Sequence, residues 1–281
     1  MTSTEFISIG RNKISTQLLG EGEILIVLLH GAGVLSPILE FKALSNLLAE
    51  KYKILVIENF GYGCSDCINK ERTIQNIVCE IHEIVSKFHH KQYILMGHSM
   101  SGIYSLYYSN QYPNEVIAFI GIDSSVPKQI DVLNTQKINI FLLKMTRFLM
   151  KSGLLKLRAN KPSSFLPSIE GVNWSNDEST LFKQLYLQNN SNDTILNELQ
   201  NMTQNFKSAY NMRFADTIPA LFFLSKQSCK QVKNWEQLHL DITNQHEQNK
   251  VVLYDGTHFL HYSHPFQIAQ ETFEWLESIG L

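Results

Sequence analysis

Ser99 stands in the run Gly97-His98-Ser99-Met100-Ser101, between a short apolar stretch, Tyr93-Ile94-Leu95-Met96, and a segment that reads as a helix. Such a run suits a sharp strand-to-helix turn. The positions two before and two after the apex are crowded there, and Gly97 and Ser101 are both small. The turn pushes the apex side chain out over the strand end, with a helix amino terminus beneath it. A serine hydroxyl is a weak nucleophile at neutral pH. It needs a base within hydrogen-bond reach and a third group that orients the base. Ten histidines are available as bases. The chemistry these types imply is acyl transfer through a covalent serine intermediate. No metal or organic cofactor is expected, because the chain has no H-x-x-x-H pair and no P-loop. Cys64-Ser65-Asp66-Cys67 has C-x-x-C spacing but lacks the second pair or thioredoxin-like context that a zinc or redox site needs.

The elements that must carry Ser99 are legible from periodicity. Phe6 to Ile9 and Lys13 to Leu19 alternate like a hairpin, with Gly10 and Asn12 turning the chain. Ile24 to Leu29, Ile54 to Ile57, Tyr93 to Met96 and Val116 to Ile122 are short apolar runs of the kind buried on both faces of a parallel sheet. Helical stripes separate them. One is capped by Ser36-Pro37 and carries Ile38, Leu39, Phe41, Leu44, Leu47 and Leu48; another carries Ile74, Ile77, Val78, Ile81, Ile84 and Val85. Strands resume at Ala220 to Leu224 and Val251 to Tyr254, and a last amphipathic helix carries Ile268, Phe273, Trp275 and Leu276. This alternation predicts an α/β protein with a mostly parallel central sheet and helices on both faces. Residues 128–216 break the rhythm and read as an inserted helical cap, leaving 1–127 and 217–281 as the core. Within the cap, Ile138 to Leu155 is unusually apolar, a segment that packs the cap onto the core, or in part lines an acyl pocket or binds a lipid surface.

Composition excludes several classes. The chain has 281 residues, 44% of them hydrophobic and 18% charged, too apolar for disorder. With 24 Lys and Arg against 26 Asp and Glu it lacks the basic excess of a nucleic-acid binder. Four cysteines are too few for a disulfide scaffold. No basic and apolar leader opens the chain, and no apolar run is long enough to span a bilayer, so a soluble cytoplasmic protein is the expectation.

Four segments in order carry a family resemblance: His30-Gly31-Ala32-Gly33, Phe60-Gly61-Tyr62-Gly63-Cys64-Ser65-Asp66, the turn at Ser99, and Gly256-Thr257-His258-Phe259. Through them the chain resembles the α/β-hydrolase superfamily, in its serine-nucleophile branch, over essentially its whole length. The usual G-x-S-x-G ends here in Ser101, with Gly102 next. The resemblance implies that His258 is the base, with His261 and His264 as runners-up, and that Ala32 and Met100 supply the oxyanion N–H donors, with Gly33 the alternative to Ala32. His98 and His30 are expected to be structural. In many relatives the acid follows the penultimate strand, but Leu224-Ser225-Lys226-Gln227-Ser228-Cys229 holds no carboxylate. Other relatives place it one strand earlier, where this chain has Asp123, in the order Ser, Asp, His. Glu236 and Asp241 remain alternatives, as does a dyad without an acid, and Asp255 is expected in the strand-end network.

Two function classes remain. One is a serine hydrolase cleaving a small or medium apolar carboxylic ester, or a thioester, as a carboxylesterase does. The other is a non-catalytic small-molecule-binding homologue. An aminopeptidase-like amide hydrolase would need acidic residues in the cap to hold an amine. Glu170, Asp177 and Glu178 are there, but they read as a solvated turn. Dehalogenase and epoxide hydrolase readings are disfavoured, since those relatives carry Asp at the turn apex.

Overall fold

The computed structural model describes residues 4–132, 165–189, 192–243 and 246–281, so the apolar stretch from Ile138 to Leu155 lies outside the described residues. Strands β1 (Thr4–Ile9) and β2 (Asn12–Leu19) form an antiparallel hairpin. Gly10 and Arg11 turn it, and Asn12 already belongs to β2; Gly10 takes the left-handed φ of 58° that the turn requires. Strands β3 (Leu25–Leu29), β4 (Lys53–Glu58), β5 (Tyr93–His98), β6 (Val116–Ile122), β7 (Ala220–Ser225) and β8 (Lys250–Tyr254) complete one sheet. Its order is β1-β2-β4-β3-β5-β6-β7-β8. Strand β2 runs antiparallel to β4, and every later pairing is parallel.

The central strands are continuous apolar runs because both faces are covered. Val27 and Leu29 pack with helices α3 (Ile74–Val85) and α4 (Ser101–Gln111) on one face. Ile26 and Leu28 pack on the other with α1 (Pro37–Glu40), α2 (Lys42–Leu48) and the last helix, α10 (Pro265–Ser278). Ser36 caps α1 by accepting from the Leu39 N–H, with Pro37 in the first turn. The stripe read as one helix breaks at Phe41, whose ψ of 0° turns the axis. That bend buries the Phe41 ring against His261 while Leu44 and Leu48 stay on the core face.

Between β6 and β7 the described residues hold helices α5 (Asn176–Asn189) and α6 (Asp193–Ser208) and no strand. These helices are riveted to the loop after β4. Asn189 Nδ2 donates to the Gly63 carbonyl at 2.6 Å and Asn192 Nδ2 to that of Gly61 at 2.7 Å. Helix α6 reaches the main core. Phe206 joins the α3 and α4 cluster, and the buried Glu198 carboxylate accepts from Tyr62 at 2.8 Å and Tyr104 at 2.7 Å. After β7 come α7 (Lys226–Gln231) and α8 (Trp235–Leu240), and after β8 a short α9 (Leu260–Ser263). Among the described residues no helix is long and apolar enough to cross a membrane.

Candidate active site

Strand β3 lies between β4 and β5, so the chain leaves its carboxyl end to one side and returns on the other. The loops after β3 and β5 therefore part, and a crevice opens at the carboxyl ends of the strands, where open α/β sheets bind ligands. Ser99 sits at that point, directly after β5.

The turn at Ser99 is held by its own backbone. Ser99 takes φ 54°, in the left-handed region that non-glycine residues rarely occupy. Its carbonyl accepts from Gly102 N at 2.9 Å and Ser125 N at 2.7 Å, tying the start of α4 to the end of β6. Only small neighbours fit. A Cβ on Gly31 would lie 2.7 Å from Ser99 Cβ and 2.9 Å from His98 Nδ1, and one on Gly97 would meet the Ser101 carbonyl at 3.0 Å. Ser101 is fully buried, and its hydroxyl donates to the His30 carbonyl.

The structure brings Ser99, His258 and Asp123 together. His258 Nε2 lies 2.8 Å from Ser99 Oγ, and His258 Nδ1 lies 2.7 Å from Asp123 Oδ2. A carboxylate only accepts, so Nδ1 carries the proton and Nε2 is free to accept from the serine hydroxyl. Asp123 is fully buried after β6. Burial pushes its pKa up. The hydrogen bond and charge of His258 and the hydrogen bonds from Ser228 and Ser225 outweigh that and leave it below the ordinary carboxylate value. Trp235 Nε1 also donates to Asp123 Oδ1, at 3.1 Å. The role of Ser225, Ser228 and Trp235 is not legible in the sequence. The one signal there is a pair of hydroxyls in the stretch where many relatives carry a carboxylate.

The remaining histidines divide clearly. His98 is buried and its Nε2 lies 3.1 Å from the His258 carbonyl, so it steadies the loop that carries His258. Burial, then the neighbouring His261 and His258, keep His98 neutral. His261 is fully buried against Phe41, its pKa pushed down to about 3 by burial, and neither of its ring nitrogens has a hydrogen-bond partner. His264 pairs with Ser263 and stacks on Tyr254. His30 donates from Nδ1 to the Gly31 carbonyl at 2.8 Å and accepts at Nε2 from Asn59 N at 3.2 Å. It ties the loops after β3 and β4 together, and burial lowers its pKa to about 4.

No backbone carbonyl among the described residues takes the N–H of Ala32 or of Met100. The Tyr62 ring packs on His30, their centroids 4.3 Å apart, beside this loop. The other carboxylates lie elsewhere. Asp241 accepts from Gln237 at 2.9 Å and Glu236 is exposed. Asp255, expected in the strand-end network, points into solvent, where it pairs with Lys226 at 2.8 Å. The alternation of β8 explains this, since neighbouring side chains at a strand end face opposite ways. Glu178 pairs with Lys42, Asp177 is exposed, and Glu170 is exposed with its N–H on the Tyr262 carbonyl. Among the described residues no group of His, Cys, Asp and Glu could hold a metal ion.

A family model described as the alpha/beta hydrolase fold matches residues 24–265. The protein YbdG of Bacillus subtilis strain 168, described as uncharacterized, is 24% identical over 283 residues, covering 97% of this chain and 85% of YbdG. Smu.1393c of Streptococcus mutans has a crystal structure with a TM-score of 0.67 and 22% identity, covering 99% of this chain and 98% of its own. A Vigna radiata epoxide hydrolase mutant has a TM-score of 0.75 at 14% identity, covering 99% of both chains.

Proposed function

This chain belongs to the alpha/beta hydrolase fold family, and we propose that it is a serine hydrolase cleaving a small or medium apolar carboxylic ester, or a thioester, through an acyl-enzyme on Ser99. The observation that carries this reading is the unbroken hydrogen-bond chain from Asp123 Oδ2 through both nitrogens of His258 to Ser99 Oγ, at 2.7 and 2.8 Å.

In this mechanism Ser99 Oγ attacks the ester carbonyl as His258 Nε2 takes its proton. Asp123 holds the ring in the required tautomer and stabilises the imidazolium. The oxyanion is met by the N–H groups of Ala32 and Met100. Collapse breaks the bond to the alcohol or thiol, which leaves with the proton from His258. Water, deprotonated by the same His258, then releases the acid and restores Ser99. The epoxide hydrolases among the similar structures set a contrast. Relatives of that kind carry Asp at the turn apex, and a serine there favours acyl transfer.

Residues 128–216 act in this reading as the cap over the site. A cavity of about 240 Å³ runs beside the proposed oxyanion loop and is lined by Val34, Phe165, Phe182, Phe259 and Tyr262, with Glu40. Gly33 and Phe259 in its lining follow Ala32 and His258 in the chain, which makes it the candidate place for the apolar acyl group. A fluorophosphonate probe tests the nucleophile. Wild-type protein becomes covalently labelled and hydrolyses short p-nitrophenyl esters, and Ser99→Ala does neither while keeping its thermal transition. Full labelling of Ser99→Ala refutes the assignment.

A further inference from the structure

A fully buried carboxylate is expensive unless its lone pairs are filled. Asp123 is 0% exposed, and no Lys or Arg among the described residues pairs with it; its ion-pair partner is His258. The donors that fill its remaining lone pairs come from one short stretch of chain. The Ser225 N–H at the end of β7 and the Trp235 indole N–H at the start of α8 both donate to Oδ1, each at 3.1 Å. The Ser228 hydroxyl donates to Oδ2 at 2.5 Å, and the Ser225 hydroxyl lies 3.1 Å from Oδ2 and 2.9 Å from Ser228 Oγ. The two hydroxyls thus form a short relay that ends on the same oxygen His258 uses. The stretch is itself anchored. Ser225 Oγ caps α7 by accepting from Ser228 N at 3.0 Å. The ring nitrogens of His239 each lie 2.8 Å from a carbonyl, that of Trp235 and that of Ser124. Helix α8 is thereby fastened to the residue next to Asp123.

We propose that Ser228 and Trp235, carried on the segment from Ser225 to His239, are positioning residues that fix the Asp123 carboxylate toward His258 and set how strongly it holds the His258 ring proton. They touch neither Ser99 nor any reacting atom, and act through Asp123. The geometry allows nothing looser. Two rigid N–H donors, a backbone amide and an indole, hold Oδ1, so the carboxylate plane cannot turn away from His258. Each donor also draws negative charge from the carboxylate. Removing one leaves Asp123 ionised but more basic, and a more basic carboxylate holds the imidazolium more tightly.

The proposal rests on the serine hydrolase reading for its catalytic meaning, and a readout that needs no turnover separates the two. The titration of the His258 ring is followed by NMR in wild type, Ser228→Ala, Trp235→Phe and Ser228→Thr, beside the pH profile of kcat/KM on a p-nitrophenyl ester. Ser228→Ala and Trp235→Phe each raise the His258 midpoint by roughly 0.5–1 pH unit over wild type. They move the acid limb of the rate profile by the same amount and lower kcat about 10-fold through misalignment. Ser228→Thr, which keeps the hydroxyl, restores the wild-type midpoint. A merely structural role lowers the thermal transition and leaves the midpoint where it was; an unmoved midpoint in both Ser228→Ala and Trp235→Phe overturns the proposal. A shifted midpoint in a protein whose wild type neither hydrolyses esters nor takes the fluorophosphonate upholds the positioning role and refutes the hydrolase reading.

Discussion

Exchanging Asp123 for asparagine replaces one carboxylate oxygen by an NH₂, and the contacts around that atom decide the effect. The Oδ1 side of Asp123 faces two donors that cannot turn into acceptors, the Ser225 N–H and the Trp235 indole N–H. The Oδ2 side faces His258 Nδ1 and the Ser228 hydroxyl, and a hydroxyl can rotate to accept. The introduced amide must therefore keep its oxygen at the Oδ1 position and place its NH₂ against His258. The ring answers by giving up the Nδ1 proton and carrying one on Nε2, which then faces Ser99 Oγ as a donor and cannot accept the serine proton. The protein stays folded, because both N–H donors keep their acceptor and only one of the paired Ser225 and Ser228 hydroxyls is left without one. The loss in Asp123→Asn falls on turnover, by about 10³–10⁴, which is roughly 4–5.5 kcal/mol of transition-state stabilisation. The second-order rate of fluorophosphonate labelling measures this without knowledge of the natural substrate. KM for a p-nitrophenyl ester should be unchanged, since Asp123 does not touch it. A variant that labels within ten-fold of wild type would sink both the acid assignment and the tautomer argument.

Packing and burial set two further outcomes. Gly31→Ala puts a methyl 2.7 Å from Ser99 Cβ and 2.9 Å from His98 Nδ1, so labelling should slow by about 100-fold as the nucleophile is displaced; a wild-type rate would mean that the turn yields freely. His30 takes up its proton near pH 4 in the folded protein, against its ordinary 6.5 unfolded, because burial disfavours the imidazolium. The unfolded chain then binds more protons between those values, so stability is whole above about pH 6.5 and falls toward pH 4, by on the order of 3 kcal/mol for this residue. Urea midpoints measured from pH 7 to 4 should fall in wild type and fall less in His30→Asn, and parallel curves would count against His30 as the cause.

Most of the sheet is legible in the sequence, because parallel strands buried on both faces announce themselves as apolar runs. Ile54 to Ile57 and Tyr93 to Met96 are such runs, and both are buried strands. The glycine and serine pattern around Ser99 marks the turn, since crowding restricts those positions by type. The illegible part depends on residues far apart in the chain. Asp123 meets Trp235 across 112 positions, and Tyr62 meets Glu198 across 136. Helix α6 misleads for the same reason. Glu198 and Asn205 look like solvated positions, yet they are buried because Tyr62, Tyr104 and the Ile74 N–H need acceptors there. Phe41 is a third case. Its place in an apolar stripe gives no sign that the helix bends there to cover His261.

Backbone donors join these distant contacts to the proposed oxyanion site. Gly31, Ala32 and Gly33 succeed one another after β3, and a buried N–H without an acceptor is rare in folded proteins. The His30 ring, which donates from Nδ1 to the Gly31 carbonyl, packs on Tyr62 with centroids 4.3 Å apart, and the Tyr62 hydroxyl donates to Glu198 on α6. Ala32 follows Gly31 directly, and among the described residues its N–H has no backbone acceptor, as the Met100 N–H at the start of α4 has none. Glu198 has its second oxygen on Tyr104, within α4 itself. One carboxylate on α6 therefore fixes both sides of the proposed oxyanion site, the loop through Tyr62 and the helix through Tyr104. That gives a physical reason for polar Glu198 to lie on the buried face of α6. Helix α6 cannot lift away from this place without releasing the two phenols that Glu198 holds.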